Sequence, residues 1–398
     1  MSTTANGITF PRGFKASGLA CGIKKQNRPD LALVYSEVPA TAAAVFTTNQ
    51  VQAAPVIISR EHIKSGSAQA ILLNSGNANA CTGVKGLADA KTTAGAVANL
   101  LNCRPEAVLL ASTGVIGVPL PLPLILNSLS SLTAKLSTSG GAEAAQAIMT
   151  TDTFAKEAAV TVELGGREVR IGGMAKGSGM IQPQMATMLG VITTDAPLGP
   201  EVLNNILRRI VNQTFNRITV DGDTSTNDTV FLLANGCAGG EEITGGAELE
   251  KFSAALHDVA MRLAHMIVQD GEGATKFLTI QVTGARTEAE AETAARAVAN
   301  SNLVKTAFFG EDANWGRVLA AVGYSGIDFA PEQTEILLAD LPVFAGTGLP
   351  FCEQTAKSLL QQKEITVKIN LHQGEAEATI WTCDLSDDYV KINGSYRT

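Results

Sequence analysis

Hydrophobic positions in this chain follow two periods, and the places where one gives way to the other mark its elements. Short apolar runs at 31–35, 42–46, 56–59 and 71–74 are bounded by polar residues, Gly or Pro and read as strands. Residues 75–80, Ser-Gly-Asn-Ala-Asn-Ala, are polar and read as a loop. From 86 to 101 small residues recur at helical spacing, which predicts a helix packed closely on a sheet. A strand at 108–111 runs into Ser112-Thr113-Gly114, and 140–150 is helical. A hairpin is predicted for 160–164 and 168–172, turning at Gly165-Gly166. A short apolar strand at 191–194, an amphipathic helix at 200–216, a strand at 229–234, a long helix at 245–267 and a strand at 276–282 follow. An Ala/Glu-rich helix at 287–299 and a compact turn at 308–317 then open a region of alternating strands and helices that runs to about 383. Hairpins with segregated helices argue an α+β fold in which sheets lie between helical layers.

Composition narrows the function classes. At 398 residues the chain is long enough for two or three domains, or for one two-lobed unit with a substantial core. Apolar residues make up 45% and charged ones 17%, the balance of a globular protein. A net charge of −8, with no basic patch or aromatic ladder, disfavours nucleic acid and anionic membranes as partners. No apolar run reaches the roughly 18 residues that cross a bilayer, and no signal peptide is evident. Six cysteines, at 21, 81, 103, 237, 352 and 383, form no CxxC, which predicts reduced thiols in a cytoplasmic protein and no metal site. The acidic run Asp221-Gly222-Asp223 to Asp228 fails as a calcium loop, because Thr226 stands where Gly is required and Leu232 where Glu is required. No GxSxG, P-loop or GxGxxG occurs, and His257 and His265 are assigned no role.

One stretch does not fit a plain structural reading. From Gly172 to Asp195 the chain places Gly172, Gly173, Gly177 and Gly179 around Lys176, then Met185-Ala186-Thr187-Met188 before the strand at 191–194. Closely spaced glycines let backbone N–H groups approach a ligand. Thr187 is a lone hydroxyl in an apolar run, and such a group is costly to bury without a partner. The string Lys-Gly-Ser-Gly-Met-Ile-Gln-Pro-Gln-Met-Ala-Thr-Met-Leu resembles the cleavage signature of the ornithine acetyltransferase family of arginine biosynthesis. The likeness extends from Gly7-Ile8-Thr9-Phe10-Pro11-Arg12-Gly13-Phe14, through Asn74-Ser75-Gly76-Asn77-Ala78-Asn79, to the last residue.

The resemblance implies a layered α/β/β/α sandwich with a smaller C-terminal α/β lobe. It implies self-cleavage between Ala186 and Thr187 into an alpha chain, 1–186, and a beta chain, 187–398. Residues 187–277 would complete the catalytic core, 278–390 would form the second lobe, and the tail 391–398 would return to the site. A threonine hydroxyl needs a base, and an N-terminal threonine carries one in its own α-amine, with a pKa of roughly 7.7–8.0. Thr187 would then take acetyl from N2-acetyl-L-ornithine and pass it to L-glutamate in ping-pong fashion, giving L-ornithine and N-acetyl-L-glutamate. Thr113 and Gly114 would form the oxyanion hole. Thr153, Lys176, Thr187, Glu272, Asn393 and Thr398 would bind substrate: Lys176 the carboxylate, Glu272 the ammonium, and the last two closing the pocket. Phe154, followed by Ala155, departs from the family pattern, in which a proline often lies nearby. No cofactor is implied, and acetyl-CoA is an alternative donor that the resemblance allows. The expected partners are amino-acid substrates and the chain's own cleaved half, in a heterotetramer of two alpha and two beta chains. Two rival readings are an N-terminal-nucleophile amidase or aminopeptidase that uses water as acceptor, and an uncut amino-acid-binding protein.

Overall fold

In this computed structural model, which describes residues 7–182 and 188–395, the chain forms two compact units. One comprises the chain up to Asn216 together with Asp223–Ile267, and the other Arg217–Gly222 together with the chain from Val268 onward. The first holds, in chain order, β1 (Phe14–Leu19), β2 (Leu31–Phe46), α1 (Ala54–His62), β3 (Ser67–Asn77), α2 (Gly83–Leu101), β4 (Val108–Val115), α3 (Leu122–Ala134), α4 (Gly141–Ala147), β5 (Lys156–Leu164), β6 (Arg167–Lys176), β7 (Leu189–Thr194), α5 (Pro200–Gln213), β8 (Thr229–Ala234) and α6 (Gly246–Gln269). The second holds β9 (Phe277–Ala285), α7 (Glu288–Asn300), α8 (Asn302–Phe309), α9 (Trp315–Gly323), β10 (Glu335–Leu338), β11 (Leu341–Ala345), α10 (Glu353–Leu360), β12 (Glu364–Asn370), β13 (Ala376–Cys383) and α11 (Asp387–Gly394).

The strands of the first unit run in the order β4-β3-β2-β8-β7-β6-β5, with β1 beside β2. Period-two side chains from one face of several strands share one interior. Ile71, Leu73, Leu109 and Ala111 of β3 and β4 pack in the same cluster as Leu189, Val191, Phe231 and Leu233 of β7 and β8. On the opposite face of β3 and β4, Leu72, Val108 and Leu110 meet α1, α2 and α3 through Ile58, Val97 and Leu129. The result is an α+β arrangement of two strand layers with helices outside. In the second unit the order is β11-β10-β12-β9-β13, and α7, α8, α9 and α10 supply the apolar partners of that sheet.

Several elements differ from their sequence reading for local reasons. The two strands expected at 31–35 and 42–46 are the single 16-residue β2, whose register to β3 shifts between Tyr35 and Ala40. The run at 56–59 is part of α1 and not a strand; Pro55 opens that helix, and a four-residue apolar run does not distinguish the two by period. β3 continues to Asn77, into the expected loop, and the turn expected at 308–317 holds the end of α8 and the start of α9. The 165–166 turn is as the sequence reads: both glycines have positive φ, +56° and +75°. The second unit begins at Val268 rather than 278 and also takes 217–222. Ile218 bridges Trp381, the Thr219 N–H donates to the Trp381 carbonyl at 2.9 Å, and Asp384 accepts the Thr275 and Lys276 N–H groups at 2.8 and 2.9 Å.

Candidate active site

Strands β3 and β4 run parallel and end together, with Ser75 opposite Thr113 and Gly76 opposite Gly114. Gly114 has a φ of +130°, and a Cβ there would collide with the Gly76 and Asn77 backbone, so only glycine fits. The register shifts at this point, a bulge in which Asn77 pairs with both Thr113 and Val115. Side-chain amides hold the end rigid. Ser112 Oγ donates to Asn74 Oδ1 at 2.5 Å, Asn74 Nδ2 donates to the Asn77 carbonyl at 2.9 Å, and Asn227 Nδ2 donates to the Ala78 and Ser112 carbonyls at 2.7 and 2.8 Å.

Lys176, the last residue of β6, is buried, and its Nζ donates to Thr113 Oγ1 at 3.4 Å. Because the hydroxyl accepts from an ammonium, its own hydrogen is left to donate elsewhere, and the cation makes it a stronger donor. Behind Lys176 lies a buried ionic group. Asp152 Oδ1 accepts from Lys156 Nζ and from the Gly177 N–H, both at 2.7 Å, and Oδ2 accepts from the Thr150 N–H at 2.8 Å. Burial alone would raise the Asp152 carboxyl; the Lys176 and Lys156 charges and these hydrogen bonds outweigh it and hold the group well below the usual carboxylate range. Phe154, the departure noted in the sequence, stacks its ring 4.8 Å from the Lys156 ammonium. Lys24 Nζ donates to the Pro29 and Met149 carbonyls at 2.8 and 2.6 Å and so braces the segment leading to Asp152. Burial, and then the neighbouring Arg28, lower its ammonium to about 8.

Asp228 lies at the start of β8. It is fully buried, and its Oδ2 has no hydrogen-bond partner. Burial pushes its carboxyl well above the ordinary value, against the opposing hydrogen bonds of Ser225 and the charge of Lys176. The next residue, Thr229, donates its N–H to the Met188 carbonyl at 3.0 Å, which sets the register of the chain that follows the expected cleavage point.

Of the residues singled out in the sequence, Lys176, Thr113 and Gly114 come together. Thr153 is exposed on the turn that carries Asp152. Within the second unit, Glu272 is buried and its Oε2 accepts from Asn393 Nδ2 at 2.6 Å. Ala186, Thr187 and Thr398 lie outside the described residues. Sequence reading passed over Lys24, Asp152, Lys156 and Asp228. Asp152 directly precedes Thr153, and Asp228 ends the acidic run that fails as a calcium loop; the two lysines carried no local signal. The geometry makes a direct expectation for Lys176→Ala. Losing a charged hydrogen bond of about 1.5–3 kcal/mol lowers kcat/KM by roughly 10- to 150-fold in a protein that still folds. Steady-state kinetics matching wild type would remove Lys176 from the site.

A family model described as the ArgJ family matches residues 15–398. The arginine biosynthesis bifunctional protein ArgJ of Symbiobacterium thermophilum is 53% identical over 402 residues, covering 100% of both chains. The protein of the same name from Caldanaerobacter subterraneus subsp. tengcongensis is 52% identical, covering 98% of each. A crystal structure of the arginine biosynthesis bifunctional protein argJ from Bacillus halodurans is 42% identical with a TM-score of 0.50, over 51% of this chain and 97% of that one. A match that runs from β1 through both units, with half of all positions identical in full-length relatives, has one meaning: the chain belongs to the ArgJ family.

Proposed function

We propose that this protein is a self-cleaving acetyltransferase of arginine biosynthesis that moves acetyl from N2-acetyl-L-ornithine to L-glutamate through an acetyl-enzyme on Thr187. The observation that carries the reading is the Thr113–Lys176 contact beside the glycine-only position 114, within a chain whose full-length relatives bear an arginine-biosynthesis name. In the first reaction Thr187 Oγ attacks the Ala186 carbonyl, the C–N bond breaks to free the α-amine, and water hydrolyses the resulting ester to free the hydroxyl and the Ala186 carboxylate. In the second, the amine takes the hydroxyl proton as Oγ attacks the acetyl carbonyl, then returns it to the departing ornithine nitrogen. Glutamate reverses the sequence with its own amine. Each step develops an oxyanion, and Thr113 Oγ–H, polarised by Lys176, with the Gly114 N–H, would receive it. Glu272, held by Asn393, is suited to a substrate ammonium; Thr153 and Thr398 would complete the binding site. The crystallised Bacillus halodurans chain is matched along 97% of its length by only 51% of this one, the length relation expected of a cleaved half. Acetyl-CoA as second donor, in keeping with the relatives' description as bifunctional, a heterotetramer of two alpha and two beta chains, and a cytoplasmic setting belong to the same proposal.

Protein incubated with acetylornithine and no glutamate is expected to gain one acetyl group on the peptide that starts at Thr187 and to lose it when glutamate is added. Mass spectrometry reads both steps. Release of free acetate at the rate of transfer would favour the amidase reading, and an uncut, unacetylated chain would favour a binding protein.

A further inference from the structure

A cavity in the first unit is lined by none of Thr113, Gly114 and Lys176. It has a volume of about 740 Å³, within the range of small-molecule pockets. Its floor is the free edge of β2. The Ala42 N–H donates to the Gly66 carbonyl, and the Thr47 N–H donates to the Asp228 carbonyl on the other side, both at 2.9 Å. Hydrogen-bonding direction alternates along a strand, so Ala44 and Phe46 present their N–H and C=O groups on the Gly66 side. There the chain has already turned away before β3 begins, and β2 pairs only with β8 at these positions. Arg60, Lys64 and Arg208 stand around this edge, against Glu201 as the one carboxylate of the lining.

The two arginines are positioned without being neutralised. Arg60 lies 5.3 Å from the Phe46 ring centroid and donates to the Thr47 carbonyl at 3.4 Å; Arg208 donates to Asn204 Oδ1 at 3.4 Å. Neither has a carboxylate within salt-bridge distance among the described residues, whereas Lys64 pairs with Glu61 at 2.6 Å. In a chain of net charge −8 a polyanion is repelled by most of the surface, so a groove of opposite sign is a local feature. Guanidinium forks and unpaired backbone N–H groups together form the donor set that takes phosphate oxygens. We propose that this groove binds a phosphate-bearing small molecule, at a site built by β2, the α1–β3 connection and α5.

The test uses the self-cleaved wild-type protein and an Arg60→Ala/Arg208→Ala double variant, with coenzyme A, inorganic pyrophosphate and an acidic hexapeptide as calorimetric probes. Either phosphate probe is expected to bind wild type, with affinity falling as salt rises, and to lose at least tenfold in the double variant while acetylornithine-to-glutamate transfer is unchanged. Coenzyme A binding accompanied by a selective loss of acetyl-CoA-dependent glutamate acetylation would identify the ligand as an acyl donor. Binding of pyrophosphate with no such loss would identify an effector. No phosphate probe bound at millimolar concentration, equal affinity in the double variant, or binding of the hexapeptide alone would each overturn the proposal.

Discussion

Thr187→Ala is expected to leave one chain of 398 residues that transfers no acetyl group. Both reactions need the same oxygen, so a single substitution removes both, and the drop in transfer should be on the order of 10⁶-fold. The other substitutions at this position separate the two roles. Thr187→Ser keeps a hydroxyl and should still cut, more slowly, because serine lacks the methyl group that restricts χ1. Thr187→Cys keeps a nucleophile of different reactivity and should cut while transferring acetyl poorly. In wild type the base is an α-amine with an ordinary pKa of roughly 7.7–8.0, so activity should decline as pH falls through that range and the amine becomes protonated. A denaturing gel, N-terminal sequencing and a pH–rate profile check these in turn. An active Thr187→Ala enzyme, or an acetyl group trapped on another residue, would overturn the mechanism.

How far the sequence carried the fold depended on whether period or pairing decided each element. α5 and β8 were readable because a single buried face leaves a periodic trace: Leu203, Ile206, Leu207, Ile210 and Val211 on the helix, and an unbroken apolar run on the strand. α1 was not readable, because Val56-Ile57-Ile58-Ser59 suits either element and burial against β4 decides for helix, as the Ser59 Oγ to Leu110 carbonyl bond at 2.7 Å shows. The unity of β2 was hidden by its bulge. In the site, Lys176 stood out as a cation among closely spaced glycines, and Gly114 came only through the family resemblance. The groups that support them did not. Asp152 and Lys156 are an ordinary i, i+4 pair in sequence, and only the approach of β6, bringing Gly177 and Lys176, gives them a task. Asp228 stood only as the end of an acidic run, and the upward push on its carboxyl follows from complete burial, which no local pattern reports.

That support makes Asp152 the position with the largest expected effect on stability. Lys156 has no exposed side-chain surface, and its Nζ pairs with Asp152 Oδ1 at 2.7 Å. Asp152→Ala takes the carboxylate away from a buried ammonium, at a cost of about 3–5 kcal/mol, and also frees the Gly177 N–H that helps place Lys176. Stability and transfer should therefore fall together. Asp152→Asn preserves the shape and loses the charge, which isolates the electrostatic part. Its pH signature has a definite sign. A carboxyl held below its unfolded value of about 3.9 contributes stability that is fully present above that pH and is lost as pH falls toward the folded pKa. Wild type should thus lose melting temperature more steeply below about pH 4 than Asp152→Asn does, and the gap between the two should be widest near neutrality. Calorimetric melting between pH 7 and 3 measures it. Parallel curves for the two proteins, or an Asp152→Ala variant as stable as wild type, would show that Lys156 is neutralised by some other route.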